Sequence, residues 1–249
     1  MMKISIVTIV RNDAAHIEET IKSVLSQNYP DTEYVIIDGG STDGTVEIIE
    51  KYKSQLAFFV SEPDSGIYNA MNKGIRKTTG DVVGMINSGD RYYPGAFQTV
   101  SQAFGETPGR KIFWGDVQYE HLGRVRGFRE NNRYIGAFAP HPSMFVPRAV
   151  YDEIGLYDES FRLLGDYDFM YRAVNAEKVE VLYVPELIAY YLEGGLSDQR
   201  IYRCLADELR VKIKYKANPF YAYFLFGLKV IKNLPRILLA KKQIRGYII

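Results

Sequence analysis

Tyr34-Val35-Ile36-Ile37-Asp38-Gly39-Gly40-Ser41-Thr42-Asp43-Gly44-Thr45 decides the fold. A short, β-branched apolar run stops at an acid and two glycines. A hydroxyl-rich turn then leads to Val46, Ile48 and Ile49 at helical spacing. Such a run predicts a strand buried on both faces, and Thr42 or Asp43 can cap the helix that follows. The alternation repeats outward in both directions. Ile4 to Val10 is a first strand, followed by Arg11-Asn12-Asp13 and a helix over 14–27 with Ile17, Ile21, Val24 and Leu25 on one face. Residues 57–60 read as a third strand, 67–77 as a helix, and 81–86 as a fourth strand ending at Asn87-Ser88-Gly89-Asp90. Apolar strands alternating with helices predict an α/β fold with a Rossmann-like, mostly parallel sheet and helices on both faces. Ligands of such sheets bind beyond the carboxyl ends of the strands, so the three polar clusters are expected to face one crevice.

Farther along, residues 111–129 read as two strands of a mixed sheet with Trp114-Gly115-Asp116 at a turn. Residues 141–146 read as a strand, helices begin at Arg148 and span 166–176, and 179–184 is a late strand. Glu193-Gly194-Gly195-Leu196-Ser197 is a glycine-rich loop leading to the tail. The 249 residues suit one large α/β domain with or without an appendage, and 47% hydrophobic with 24% charged residues excludes global disorder. The lone Cys204 excludes an internal disulfide framework and fits a reducing, cytoplasmic setting. The N-terminus has no cleavage-site pattern and reads as a buried strand, not a signal peptide.

Net charge is +1 overall but unevenly spread. Residues 199–249 hold twelve basic and two acidic residues, +10, against −9 for residues 1–198. We therefore expect a catalytic domain over 1–198 and a basic, amphipathic helical tail over 199–249. The tail mixes Phe220, Tyr221, Tyr223, Phe224, Leu225 and Phe226 with spaced lysines and arginines, and its longest uncharged apolar stretch is too short to span a bilayer. Aromatic and basic residues at helical spacing describe an interfacial helix attracted to an anionic membrane surface, on the inner face of the cell membrane. A dimerisation helix, giving a homodimer, is the alternative. Nucleic-acid binding is not expected, because the basic residues come with aliphatic bulk and no reader fold. Pro235 predicts a kink.

Two acids stand at strand ends. Asp90 lies beyond a buried strand, where a carboxylate can meet a divalent cation bridging two phosphates. The alternative is a solvated turn. Asp38 can accept a hydrogen bond from a base N–H or a ribose hydroxyl, or can simply close an Asx turn in Asp-Gly-Gly-Ser.

Taken together, Ile4 to Asn12, Val35 to Thr45, Asn72-Lys73-Gly74-Ile75, Gly80-Asp81 and Asn87 to Asp90 resemble the nucleotide-binding opening of family-2 glycosyltransferases of the GT-A fold. Ser61-Glu62-Pro63-Asp64-Ser65-Gly66-Ile67-Tyr68-Asn69-Ala70-Met71-Asn72-Lys73-Gly74 is similar to a bacterial surface-polysaccharide branch that includes colanic-acid glycosyltransferases. The resemblance covers about residues 3–200. It implies a nucleotide pocket lined by Thr8, Val10 and Asn12, with Asp38 reading the base and Lys73 near the nucleotide. The family's Asp-any-Asp motif falls on Ser88-Gly89-Asp90. Only its last acid is kept, so Asp90 is the expected ligand of Mn²⁺ or Mg²⁺, with Ser88 left to contact ribose.

The resemblance also places a catalytic base at the start of the helix over 166–176. Gly165-Asp166 matches the family's acidic doublet with the first acid lost, which assigns Asp166 as base; an N-cap is its structural alternative. Asp168 is expected to be structural. His141, Trp114 and Asp116 are candidates for contacting acceptor or diphosphate, although a packed histidine and a core tryptophan fit as well. Gly194, Gly195 and Ser197 resemble a loop that closes over the diphosphate, with Arg200 adding charge. The expected activity is an inverting, metal-dependent transfer of a sugar from a nucleotide-diphosphate donor, UDP-sugar favoured, to a lipid-linked saccharide in cell-surface polysaccharide synthesis. The rivals are a sugar nucleotidyltransferase and a catalytically silent GT-A binding subunit.

Overall fold

The computed structural model describes residues 2–125, 127, 140–176, 179–194, 200–215 and 218–245. Gly195 and Ser197 lie outside them. Four parallel strands, β1 (Ile4–Val10), β2 (Thr32–Asp38), β3 (Phe58–Ser61) and β4 (Val82–Met85), form half of a nine-stranded sheet in the order β3-β2-β1-β4. Helices α1 (Ile17–Leu25), α2 (Thr45–Glu50) and α3 (Ile67–Lys77) connect them. The N-cap of α2 is Gly44, with no side-chain cap, and not Thr42 or Asp43; Asp43, one residue earlier, still accepts the Thr45 N–H through Oδ1 at 3.1 Å.

The other half is mixed. β8 (Met144–Pro147) runs antiparallel to β4, β6 (Lys111–Tyr119) antiparallel to β8, and β9 (Glu180–Tyr191) parallel to β6. The two-residue β5 (Arg91–Tyr92) pairs antiparallel with β9, and β7 (Gly123–Val125) hangs off β6. Helices α4 (Ala96–Phe104), α5 (Arg148–Ile154), α6 (Gly165–Asn175), α7 (Ile201–Lys214) and α8 (Pro219–Arg245) complete the chain. The strand expected over 141–146 begins only at Met144; His141–Ser143 is a 3₁₀ turn, as suits a segment whose Pro142 offers no N–H to a sheet ladder. The late strand runs well past 184, to Tyr191, through Pro185 and with register irregularities against β6 between Trp114 and Val117.

Strand alternation sorts the core into two layers. Ile4, Ile6, Val10, Tyr34 and Ile36 pack with α1 and α4, whereas Val7, Ile9, Val35 and Ile37 pack with α3, α5 and α6. Two antiparallel steps bring β6 and β9 back to the direction of β1–β4. The carboxyl ends of all six strands therefore meet at one sheet edge, and the chain enters β8 from that same edge at His141.

Candidate active site

The loops that leave β1, β2 and β4 are joined to one another at this edge. Register pairs Val10 with Asp38 and Asp38 with Ser61, so the three strands end level. Asn12 adopts a left-handed backbone (φ 51°) that turns the chain sharply out of β1. Its N–H donates to Ser41 Oγ at 2.7 Å and its Oδ1 accepts the Thr42 N–H at 2.9 Å. Asp13 reaches the other way, its Oδ2 accepting Ser88 Oγ at 2.6 Å. The three polar clusters thus form one continuous rim.

Asp38 is fully buried and richly supplied with donors. Its Oδ2 accepts the N–H groups of Gly40 (3.0 Å) and Ser41 (2.8 Å) and the Ser61 hydroxyl (2.6 Å), while Oδ1 accepts Ser41 Oγ. This is the Asx turn of the sequence, extended by a neighbouring strand.

Asp90 is equally buried and poorly supplied. Among the described residues its carboxylate accepts one hydrogen bond, from the Leu192 N–H at 3.0 Å, just past β9. Burial pushes its carboxyl up to about 8, against which that bond pulls down. The turn itself is firmly held: Thr20 Oγ1 on α1 donates to the Asp90 carbonyl and accepts the Gly89 N–H. Gly89 has φ 97°, and a Cβ there would stand 2.9 Å from Leu192 Cδ2. The glycine at the middle position of this motif is therefore required by the backbone and by the leucine above it. A buried, under-donated carboxylate becomes favourable as an anion when a cation joins it.

On the opposite layer, α3 and α6 bring a second group to the same edge. Asp166, half-buried in the first turn of α6, has Oδ1 3.0 Å from Tyr68 Oη on the first turn of α3. A Cβ on Gly165 would lie 2.8 Å from the Tyr68 ring. The lost first acid of the doublet has thus made room for this tyrosine. His141 donates to or accepts from Tyr157 Oη at 3.0 Å. Burial holds its imidazole below the usual range, partly opposed by the nearby Asp166 charge. Burial, reinforced by Asp166, likewise raises the Tyr68 hydroxyl well above its ordinary value. Asp168, as expected, is structural: fully buried, it accepts from Arg172, Lys214 and Tyr215.

Other candidates fall elsewhere. Thr8 does not open onto the crevice; it is fully buried two residues inside β1, with Oγ1 2.9 Å from Tyr34 Oη. Val10, buried on the same side of the strand, sits at its end beside Asp38. Lys73 pairs with Glu62 at 2.7 Å, beyond the end of β3. Trp114 is fully buried, which gives it to the core and not to an acceptor. Asp116 is engaged internally by Arg124 (2.7 Å), Tyr183 (2.7 Å) and the Gly127 N–H (2.9 Å). Burial would raise its carboxyl, but these donors outweigh that and hold it low. Gly194 (φ 98°) follows Glu193, which binds the His121 ring at 3.1 Å, and Arg200 is exposed just before α7. Sequence reasoning missed Asp13, Tyr68 and Leu192 as site-forming residues. The first two lie in stretches already singled out, whereas nothing local marks Leu192.

Residues 5–155 match the sequence profile of Glycosyl transferase family 2. An uncharacterized glycosyltransferase of Mycobacterium tuberculosis is 34% identical over 178 residues, 68% of each chain. A PGL/p-HBAD biosynthesis glycosyltransferase of Mycobacterium bovis is 29% identical over 209 residues, 78% of each chain. Among solved structures, Staphylococcus aureus TarS 1–349 in complex with UDP superposes with TM-score 0.66 at 19% identity, covering 94% of this chain and 72% of that one. The mannosyltransferase PcManGT of Pyrobaculum calidifontis, in complex with GDP-Man and Mn²⁺, gives TM-score 0.66 at 14% identity, covering 100% and 81%. Its curled, mostly parallel sheet is GT-A-like, and its sequence profile and its similarity to known glycosyltransferases agree: the chain belongs to glycosyltransferase family 2.

Proposed function

We propose that the chain is an inverting glycosyltransferase that moves a sugar from a nucleotide-diphosphate donor, UDP-sugar favoured, to a lipid-linked saccharide in cell-surface polysaccharide synthesis, as in the colanic-acid branch. The observation that carries this reading is the pairing of two unlike carboxylates at one sheet edge. Asp90 lies on the α1 side, short of donors, and Asp166 on the α3/α6 side, facing a tyrosine. Asn12, Asp38 and Ser88 frame the nucleotide end, and Asp166 serves as base. It takes the proton of an acceptor hydroxyl, whose oxygen attacks the anomeric carbon as the bond to the diphosphate breaks with its electron pair. His141, kept neutral by burial, is suited to accept or donate one hydrogen bond at the acceptor side.

Asp90 suits Mn²⁺ or Mg²⁺. Among the described residues no three His, Cys, Asp or Glu side chains gather as a metal cage. These cations commonly take one or two carboxylates with substrate phosphates and water, the donor set available here. When bound, the ion would neutralise charge on the departing diphosphate.

The tail supports a membrane role. Phe220, Phe224, Leu228, Ile231 and Leu234 form an exposed stripe along α8, while Ala222 and Ile237 are buried and Lys229 turns to α7. Among the described residues no helix is long and apolar enough to cross a membrane. A helix of this kind suits the surface of anionic lipid, where the acceptor resides.

The test is a thermal-shift panel of UDP, GDP, CDP and dTDP with and without Mn²⁺, followed by product analysis. UDP with Mn²⁺ should raise Tm most, a ligand at 100 Kd adding about 2.7 kcal/mol. A UDP-sugar should then yield free UDP and a product of inverted anomeric configuration. Pyrophosphate released from UTP in the presence of a sugar 1-phosphate would identify a nucleotidyltransferase instead, and no response to any nucleotide would leave a silent subunit.

A further inference from the structure

The turn that carries Asp166 is held from both sides by α7, a helix the sequence assigns to the tail. Upstream, the Leu163 N–H donates to Asp207 Oδ2 on α7 at 3.2 Å, and the Leu163 carbonyl accepts Tyr68 Oη at 2.8 Å. That same hydroxyl stands 3.0 Å from Asp166 Oδ1. Downstream, Lys214 Nζ at the end of α7 and Tyr215 Oη bind Asp168 Oδ1 at 2.8 and 3.0 Å. Tyr171 and Tyr215 stack with centroids 5.0 Å apart, and Arg210 and Lys214 lie over the Phe161 ring. Residues 161, 163 and 168 thus bracket position 166, and each is gripped by α7 or by the residue that ends it. Helix α6 has Leu164 at its N-cap and no side-chain cap there. Among the described residues the one local tie on Asp166 is the Tyr167 N–H, which donates to its Oδ1 at 2.9 Å and leaves the Tyr68 hydroxyl as the contact from another element.

A carboxylate in the first turn of a helix rotates freely unless a neighbour fixes it, and a base misplaced by about 1 Å can lose on the order of a hundredfold in rate. The Tyr68 hydroxyl is such a neighbour. Its ring is seated against Gly165, and its proton is shared between Leu163 O and Asp166. The position of the Leu163 peptide, set by Asp207, therefore sets where the hydroxyl points. We propose that Tyr68, directly, and Asp207, through Leu163, are positioning residues for Asp166, which makes α7 part of the catalytic apparatus and not only a spacer to the membrane helix. This inference rests on the reading of Asp166 as base. Helix α8 is tied into the same unit, because Glu208 beside Asp207 binds Lys229 at 2.7 Å.

The experiment compares Tyr68→Phe, Asp207→Ala, Asp207→Asn and Asp166→Asn in the full chain by kcat, donor and acceptor KM, Tm and the pH profile of kcat/KM. Asp207→Ala is expected to lower kcat about tenfold with donor KM nearly unchanged. Asp207→Asn keeps an acceptor for the Leu163 N–H and should recover most of that loss. Tyr68→Phe should lower kcat and move the acidic limb of the profile upward, since a donor to the charged base is removed. An Asn variant as impaired as the Ala variant, or a Tyr68→Phe profile that coincides with the parent's, would overturn the inference. If Asp207→Ala does not fold, the Tyr68→Phe profile decides alone. Full turnover by Asp166→Asn would instead sink the base assignment itself; an inactive Asp166→Asn with an unmoved Tyr68→Phe profile sinks only the positioning claim.

Discussion

The turns after β2 and β4 make an instructive pair. Each ends a buried parallel strand, each carries a glycine next to an aspartate, and each aspartate is almost completely enclosed. Asp38 receives four hydrogen bonds from its own turn and from Ser61. Among the described residues Asp90 receives one, from a residue 102 positions away. The first carboxylate is therefore already satisfied as an anion, and its burial organises the loop. The second is held by a rigid backbone while its charge goes largely uncompensated, a state that favours a proton or a cation. Burial alone says little about an acid's role; the supply of donors separates the two.

The largest test of this contrast is removal of the under-donated acid. Asp90→Ala should lower turnover by roughly a hundredfold or more and abolish the Mn²⁺-dependent part of the UDP thermal shift, while the unliganded protein stays folded. A retained metal response would break the comparison. Next in size, Asp38→Ala strands the Gly40 and Ser41 N–H groups and the Ser61 hydroxyl, which should cost about 1–3 kcal/mol in denaturant unfolding. If Asp38→Ala left stability unchanged and removed only nucleotide binding, Asp38 would be a reader of the base and not a keystone of the turn.

The last test is the pH dependence. Asp90 titrates near 8 when folded and near an ordinary carboxylate value, about 4, when unfolded. Between those values the folded state binds more protons, so the stability this group contributes is full below about pH 4 and is lost as pH rises through 8. Metal-free protein should therefore lose Tm across that window relative to Asp90→Asn, whose curve lacks this component. Addition of Mn²⁺ and UDP should offset the loss most strongly toward pH 8, where proton competition weakens. Parallel Tm curves for the two proteins would show that Asp90 is not the titrating group.

Much of this was legible in the chain. Ile4–Val10 and Ile67–Lys77 fall where apolar runs and helical spacing put them, because both patterns are local. The convergence of three polar clusters followed from the parallel order alone. The extension of β9 to Tyr191 was not legible: it contains Pro185, and its pairing partner β6 lies some seventy residues upstream. Thr8 faces the same side of β1 as Val10, but it lies two residues inside the strand, where its hydroxyl meets Tyr34 Oη at 2.9 Å, a contact no local pattern announces. Gly165, which looks like a lost acid in sequence, proves to be the space Tyr68 occupies.

By itself the sequence determined the strands, the helices between them and the edge at which its acids gather, since each follows from short-range periodicity and turn chemistry. Only the tertiary structure decided which acid is satisfied and which is not. Leu192 comes to Asp90, Tyr68 comes to Asp166 from 98 positions away, and Asp207 comes to Leu163, all through packing between distant elements. A carboxylate's chemistry is set by the donors around it, and chain folding, not local pattern, delivers those donors.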